Sequence, residues 1–141
     1  MCSISYNTFA DGITQGYIIS TKGNYFSLEE AIRNSENGDT INVFGGKYNG
    51  NFVIDKNLTL IGHGWPILDG NSNGTVLSIE ASNTFIKGFV VQNSGNVLNN
   101  ENSGISVDSN HVTIENNRLQ ETLFGIYLRK ASDSVIKNNI I

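Results

Sequence analysis

The side chains best equipped for chemistry in this chain are few and scattered. His63 stands between two glycines, and Asp69 follows it within "LIGHGWPILDGN". A histidine among carboxylates could serve acid–base cleavage of a glycosidic bond, a reaction that needs one carboxyl group as acid and a second as base or nucleophile. Only Asp69 is near, no Asp-Asp pair accompanies it, and Gly62, Gly64 and Pro66 read more simply as a turn between two strands. Calcium would need clustered acidic groups with a basic residue close by, but Asp108, Glu115 and Asp133 stand singly. Arg118, Arg129 and Lys130 are expected on the solvated exterior rather than as a catalytic base. Copper prefers His, Cys and Met, and the chain offers His63, His111, Cys2 and Met1. No catalytic, cofactor-binding or metal-binding residue is assigned, and no enzymatic activity is expected.

Composition limits the elements that could position such groups. The chain has 15 glycines, a heavy load of asparagine and one proline, which suits short strands joined by tight polar turns and argues against a helical bundle. Net charge is −4, with no basic stripe, so a nucleic-acid partner is not expected. The same acidity disfavours an acidic polysaccharide unless a cation bridges the two. No run of about 18 apolar residues is present, so no membrane-spanning segment is expected. Cys2 is alone, so no internal disulfide can form, and the first twenty residues lack the pattern of an export signal.

The main message is a repeat. Gly104-Ile105-Ser106-Val107 matches Gly125-Ile126-Tyr127-Leu128 at a spacing of 21, and Ile114-Glu115-Asn116-Asn117 matches Ile136-Lys137-Asn138-Asn139 at 22. Upstream, Val76-Leu77-Ser78-Ile79 and Phe52-Val53-Ile54 take the first role, while Phe85-Ile86-Lys87 and Leu58-Thr59-Leu60-Ile61 take the second. A unit of this period, built from short alternating runs, signals a solenoid. The fold class expected is all-β: a right-handed parallel β-helix of stacked coils, about three short strands each. Asn116-Asn117 over Asn138-Asn139 falls at a turn, where stacked amides can bond from coil to coil. Ser134 falls opposite Val112 where an apolar residue is expected, which predicts a looser strand. His63 and His111 fall about two coils apart, too far to share an ion.

The whole chain, 1–141, reads as one β-helix domain. Residues 1–16 are expected to be a leader or disordered, 17–40 an N-terminal strand and capping helix, and 41–141 about four to five coils. Ser27-Leu28-Glu29-Glu30 has the capping-box pattern, and Leu28, Ala31 and Ile32 share a face, so the helix is expected over roughly 28–35 with Gly38 ending the segment. Ile140 and Ile141 fall in mid-coil, so the solenoid is expected to be truncated at its C-terminal end. Residues 92–103, "QNSGNVLNNENS", lengthen their coil from about 22 to 28 residues, as a flexible bulge or a docking loop. Trp65 and Tyr127, if exposed, could form a sugar-stacking platform.

Residues 38–70, "GDTINVFGGKYNGNFVIDKNLTLIGHGWPILDG", resemble the opening coils of the carbohydrate-binding and sugar-hydrolase β-helix superfamily, and Gly62-His63-Gly64 is similar to a catalytic Gly-His-Gly of some pectin-cleaving members. Residues 90–141 resemble, more specifically, the NosD family of nitrous-oxide-reductase maturation proteins. That likeness is carried by Ser94-Gly95, Leu98, Ser103-Gly104-Ile105 and above all Leu123-Phe124-Gly125-Ile126-Tyr127-Leu128. The resemblance implies an exported, periplasmic or extracellular β-helix longer than this chain. It implies a non-catalytic scaffold that works with an ABC-type ATPase and permease complex and with a copper enzyme or copper chaperone. Copper belongs to the pathway by resemblance, with no cofactor held in this segment. The competing readings are a carbohydrate-active β-helix of the pectate-lyase or polygalacturonase kind and a surface adhesion module.

Overall fold

Short runs in which every second residue is apolar become strands that bury one face, and here those strands stack into a parallel β-helix. The structure, a computed structural model, describes residues 15–141; the leader expected at the N-terminus lies almost wholly outside the described residues. The first full coil holds β3 (Thr40–Phe44), β4 (Lys47–Asn49) and β5 (Phe52–Ile54). The second holds β6 (Thr59–His63), β7 (Ile67–Asp69) and β8 (Leu77–Ile79). The third holds β9 (Phe85–Lys87), β10 (Val90–Gln92) and β11 (Ser103–Val107). The fourth holds β12 (Thr113–Glu115), β13 (Arg118–Gln120) and β14 (Phe124–Leu128), and β15 (Val135–Lys137) follows on.

These strands form three sheets. The first contains β3, β6, β9, β12 and β15; the second β4, β7, β10 and β13; the third β5, β8, β11 and β14. Within each, the neighbouring strands of successive coils run parallel. The register places Ile41, Leu60, Ile86, Ile114 and Ile136 in one column, and Tyr48, Leu68, Val91 and Leu119 in another. Phe52, Leu77, Ile105 and Ile126 make a third. Ile105 and Ile126 are thus vertical neighbours, the first fully buried and the second packed against the core. Each fully buried aliphatic contributes roughly 1.5–3 kcal/mol by leaving water.

At the N-terminal end, β1 (Tyr17–Ser20) pairs antiparallel with β3 and with β2 (Gly23–Tyr25), so a hairpin continues the first sheet in the opposite sense. The sequence pointed to β1 but not to the hairpin. Helix α1 (Leu28–Arg33) buries Leu28, Ala31 and Ile32, and the Ser27 hydroxyl accepts the Glu30 N–H at 3.2 Å. The helix ends sooner than expected. Asn34 caps it, its side-chain amide donating to the Glu30 carbonyl at 2.9 Å, while Gly38 turns the chain into the first coil.

The asparagine corner behaves as its spacing suggested. Asn116 and Asn138 both adopt left-handed backbone, at φ 55° and 57°. Asn117 is buried; its Oδ1 accepts the Phe89 N–H at 3.0 Å and its Nδ2 donates to the Ile86 carbonyl at 3.2 Å. The Asn139 Oδ1 accepts the Asn117 N–H and Nδ2 at 3.0 and 3.2 Å. Ser134 does not loosen its strand: its hydroxyl accepts the Val112 N–H at 3.2 Å, and β15 keeps full register with β12.

Candidate functional site

His63 and Asp69 end consecutive strands, β6 and β7, yet the fold gives each a separate set of partners. His63 stacks on Phe44 with ring centroids 4.4 Å apart, and Phe44 stacks on Tyr17 at 4.8 Å, a ladder up the outer face of the first sheet. Its Nε2 lies 2.9 Å from the Asn42 Oδ1, so the ring nitrogen donates there. Asp69 is 2% exposed and accepts from the Asn71 N–H, the Gln92 amide and the Asn93 amide, all within 2.9 Å, with the Lys47 Nζ at 3.6 Å. Burial alone would raise the Asp69 pKa, but the hydrogen bonds from Gln92, Asn71 and Asn93, aided by Lys47, hold it below the ordinary value. Those bonds make Asp69 a clamp between coils, joined further by the Gln120 amide donating to Gln92 at 2.7 Å.

No three His, Cys, Asp or Glu side chains come together as a ligand set among the described residues, and Met1 and Cys2 lie outside them. His111 sits on a corner turn at φ 58° and shares no partner with His63. A resident copper ion is therefore not fitted by the described side chains. Among the described residues no helix is long and apolar enough to cross a membrane.

The arrangement best suited to recognition is one the sequence reading missed. A groove of about 430 Å³ runs up the corner between the first and second sheets. Carried one residue past the ends of β9, β12 and β15, the register aligns Gly62 of β6 with Gly88, Asn116 and Asn138 along the corner. A Cβ on Gly62 or on Gly88 would collide with the other's carbonyl oxygen, so the lower corner must be bare backbone, which opens the groove. Trp65 stands on one wall, held at φ 57°. Arg118 is exposed, as expected, and its guanidinium lies over the Trp65 ring, 3.8 Å from the centroid. The two are brought together because Ile67, Val90 and Arg118 share one register column, so Arg118 reaches down past the third coil. Lys87 also lines the groove, and no carboxylate does. In a chain of net charge −4 this is a local reversal of sign. Only the paired glycines at 62 and 88 hinted at it.

Tyr127 lies elsewhere, so it forms no platform with Trp65. It sits on the third sheet beside Phe124, at 5.5 Å, and the hydrogen bond to Glu101 holds its pKa above the ordinary phenol value. Glu101 also meets Arg129 at 3.8 Å. The lengthened 92–103 segment therefore closes over this sheet. A 3-10 turn at Leu98–Asn100, the Val97 N–H donating to Asn102 Oδ1 at 3.0 Å, and the Leu123 N–H donating to Ser94 Oγ at 3.0 Å hold it in place.

No family model matches the chain, and no solved structure matches it. A cell surface glycoprotein of Methanothermus fervidus is 30% identical over 102 residues, which is 70% of this chain and 17% of that protein. The chain thus spans less than a fifth of that relative's length, and what it is similar to is one portion of a surface protein.

Proposed function

We propose that this chain is a surface-displayed β-helix module, of the adhesion kind, that recognises a ligand without transforming it. The observation that carries the reading is the corner groove: the Arg118 guanidinium lies over the Trp65 ring, Lys87 adds charge, and no carboxylate lines the groove to act as acid or base. A planar guanidinium held against an indole is preorganised for a carboxylate, and Trp65, 39% exposed, offers aromatic surface to the apolar face of a sugar ring. The ligand that fits both is an acidic saccharide. The likeness to a cell surface glycoprotein supports an extracellular location. The test is calorimetric binding of uronate oligosaccharides, with product analysis on the same samples. Binding without chain cleavage is expected, weakened at least tenfold in Arg118→Ala and unchanged in Lys130→Ala. Cleavage of the oligomers, or affinity indifferent to Arg118, would overturn the reading.

A narrower second reading is a scaffold for copper-enzyme maturation beside an ABC-type ATPase and permease. It is supported by the likeness of Leu123-Phe124-Gly125-Ile126-Tyr127-Leu128, which the fold places in the corner before β14 and in β14 itself. Copper would then be handled by the partners. Capture of the permease by the displayed chain would favour it, and exclusive binding to saccharide would remove it.

A further inference from the structure

Two tripeptides in the chain have the form Asn-x-Ser/Thr without proline, Asn57-Leu58-Thr59 and Asn73-Gly74-Thr75. Such a tripeptide is an acceptor signal for N-linked glycosylation in exported proteins. A bulky, hydrated glycan also requires an acceptor amide that lies on the surface and is not engaged within the fold.

The structure separates the two by exposure and by the setting of each tripeptide, since neither acceptor's side-chain amide is hydrogen-bonded among the described residues. Asn57 is half-buried at a corner between stacked coils. Its N–H donates to Asn37 Oδ1 at 2.9 Å, and its carbonyl accepts the Gly38 N–H at 2.7 Å. Leu58 is fully buried, and Thr59 lies in β6 between Thr40 and Phe85. Asn73 is exposed, on the 70–76 loop between β7 and β8. Its backbone is pinned: the N–H donates to the Gly70 carbonyl at 3.0 Å, and its own carbonyl accepts from Asn51 Nδ2 at 2.6 Å. Left-handed backbone at Asn71, Ser72 and Gly74 shapes this loop, whose residues 71–73 are all exposed. The Asn73 side-chain amide makes no hydrogen bond with the described residues. Thr75 Oγ1 accepts the Ser103 N–H at 3.1 Å and keeps its own proton for donation.

We propose that Asn73 carries an N-linked glycan and that Asn57 does not, an inference that rests on the extracellular reading above. The donor is an oligosaccharide on a polyprenyl phosphate or diphosphate. A bond forms between the Asn73 Nδ2 and the sugar C1 while the C1–O bond to the lipid phosphate breaks. The lipid phosphate leaves with the electron pair, and one amide proton passes to a base of the transferase.

The test presents the purified chain to membranes that hold an oligosaccharyl transferase and its lipid-linked donor, with peptide mapping by mass spectrometry. One glycan is expected, on Asn73, absent in Asn73→Gln and in Thr75→Ala and retained in Thr75→Ser. Asn73→Gln should melt within a degree or so of the parent, showing that the loss is not misfolding. An unmodified Asn73 beside a modified control peptide overturns the proposal, as does modification of Asn57 in its place. Protease shaving of intact native cells separately reports where the chain resides. A chain protected inside the cell would sink the surface reading, while the in vitro result would still decide whether Asn73 is an acceptor.

Discussion

Asn117→Ala should remove a cross-coil clamp while leaving the outer surface untouched. Asn117 is 1% exposed and links three successive coils through Phe89, Ile86 and Asn139. Truncation strands the Phe89 N–H, whose acceptor is the Asn117 Oδ1, inside a residue that is 0% exposed. A buried donor left unpaired costs about 1–3 kcal/mol, and the lost bonds from Nδ2 add about 1 kcal/mol net. The expected loss is therefore about 3 kcal/mol, or roughly 6–12 °C in melting temperature for a domain of this size. Urea unfolding followed by far-UV circular dichroism measures it, with Asn116→Gly as the control. That neighbour is left-handed at φ 55° and its side chain holds no clamp, so glycine should change stability by less than about 0.5 kcal/mol. If Asn117→Ala costs no more than Asn116→Gly, the buried amide is not what ties the coils together at this corner.

Asp69→Asn should be destabilising by about 1–3 kcal/mol near neutral pH, because three donors lose a charged acceptor. The folded Asp69 pKa lies below its unfolded value near 3.8, so its stabilisation is complete above that value and is lost as pH falls through the folded pKa. The gap between parent and variant should thus be flat above about pH 5 and shrink below about pH 4; a gap independent of acid would refute the clamp. Gly88→Ala should cost several kcal/mol, because its Cβ would meet the Gly62 carbonyl and its φ is +90°. Gly64→Ala has open space and bears only the backbone strain at φ +73°, about 1 kcal/mol. Equal melting shifts for the two would refute the account of the corner.

Repeating coils were legible in the sequence because stacking leaves a strict signature. Ile105 lies over Ile126, and Ile114 over Ile136, as spacings of 21 and 22 residues require. The capping helix was legible through Ser27 and the buried trio of Leu28, Ala31 and Ile32, since capping and periodicity are local properties. What local pattern could not give was anything depending on which residues of distant coils share a corner. Ser134 looked like a defect until its hydroxyl was found against the Val112 N–H. Arg118 and Trp65, separated by more than fifty residues, meet only because Val90 stands between them in the register. Periodic apolar residues determined that the chain would wind and stack, because burial of alternate side chains admits few other solutions. The length of each coil and the hand-off at each corner decided which polar side chains came to face one another. That is a property of the assembled stack, in which a single added residue per turn would move every outward group to a new neighbour.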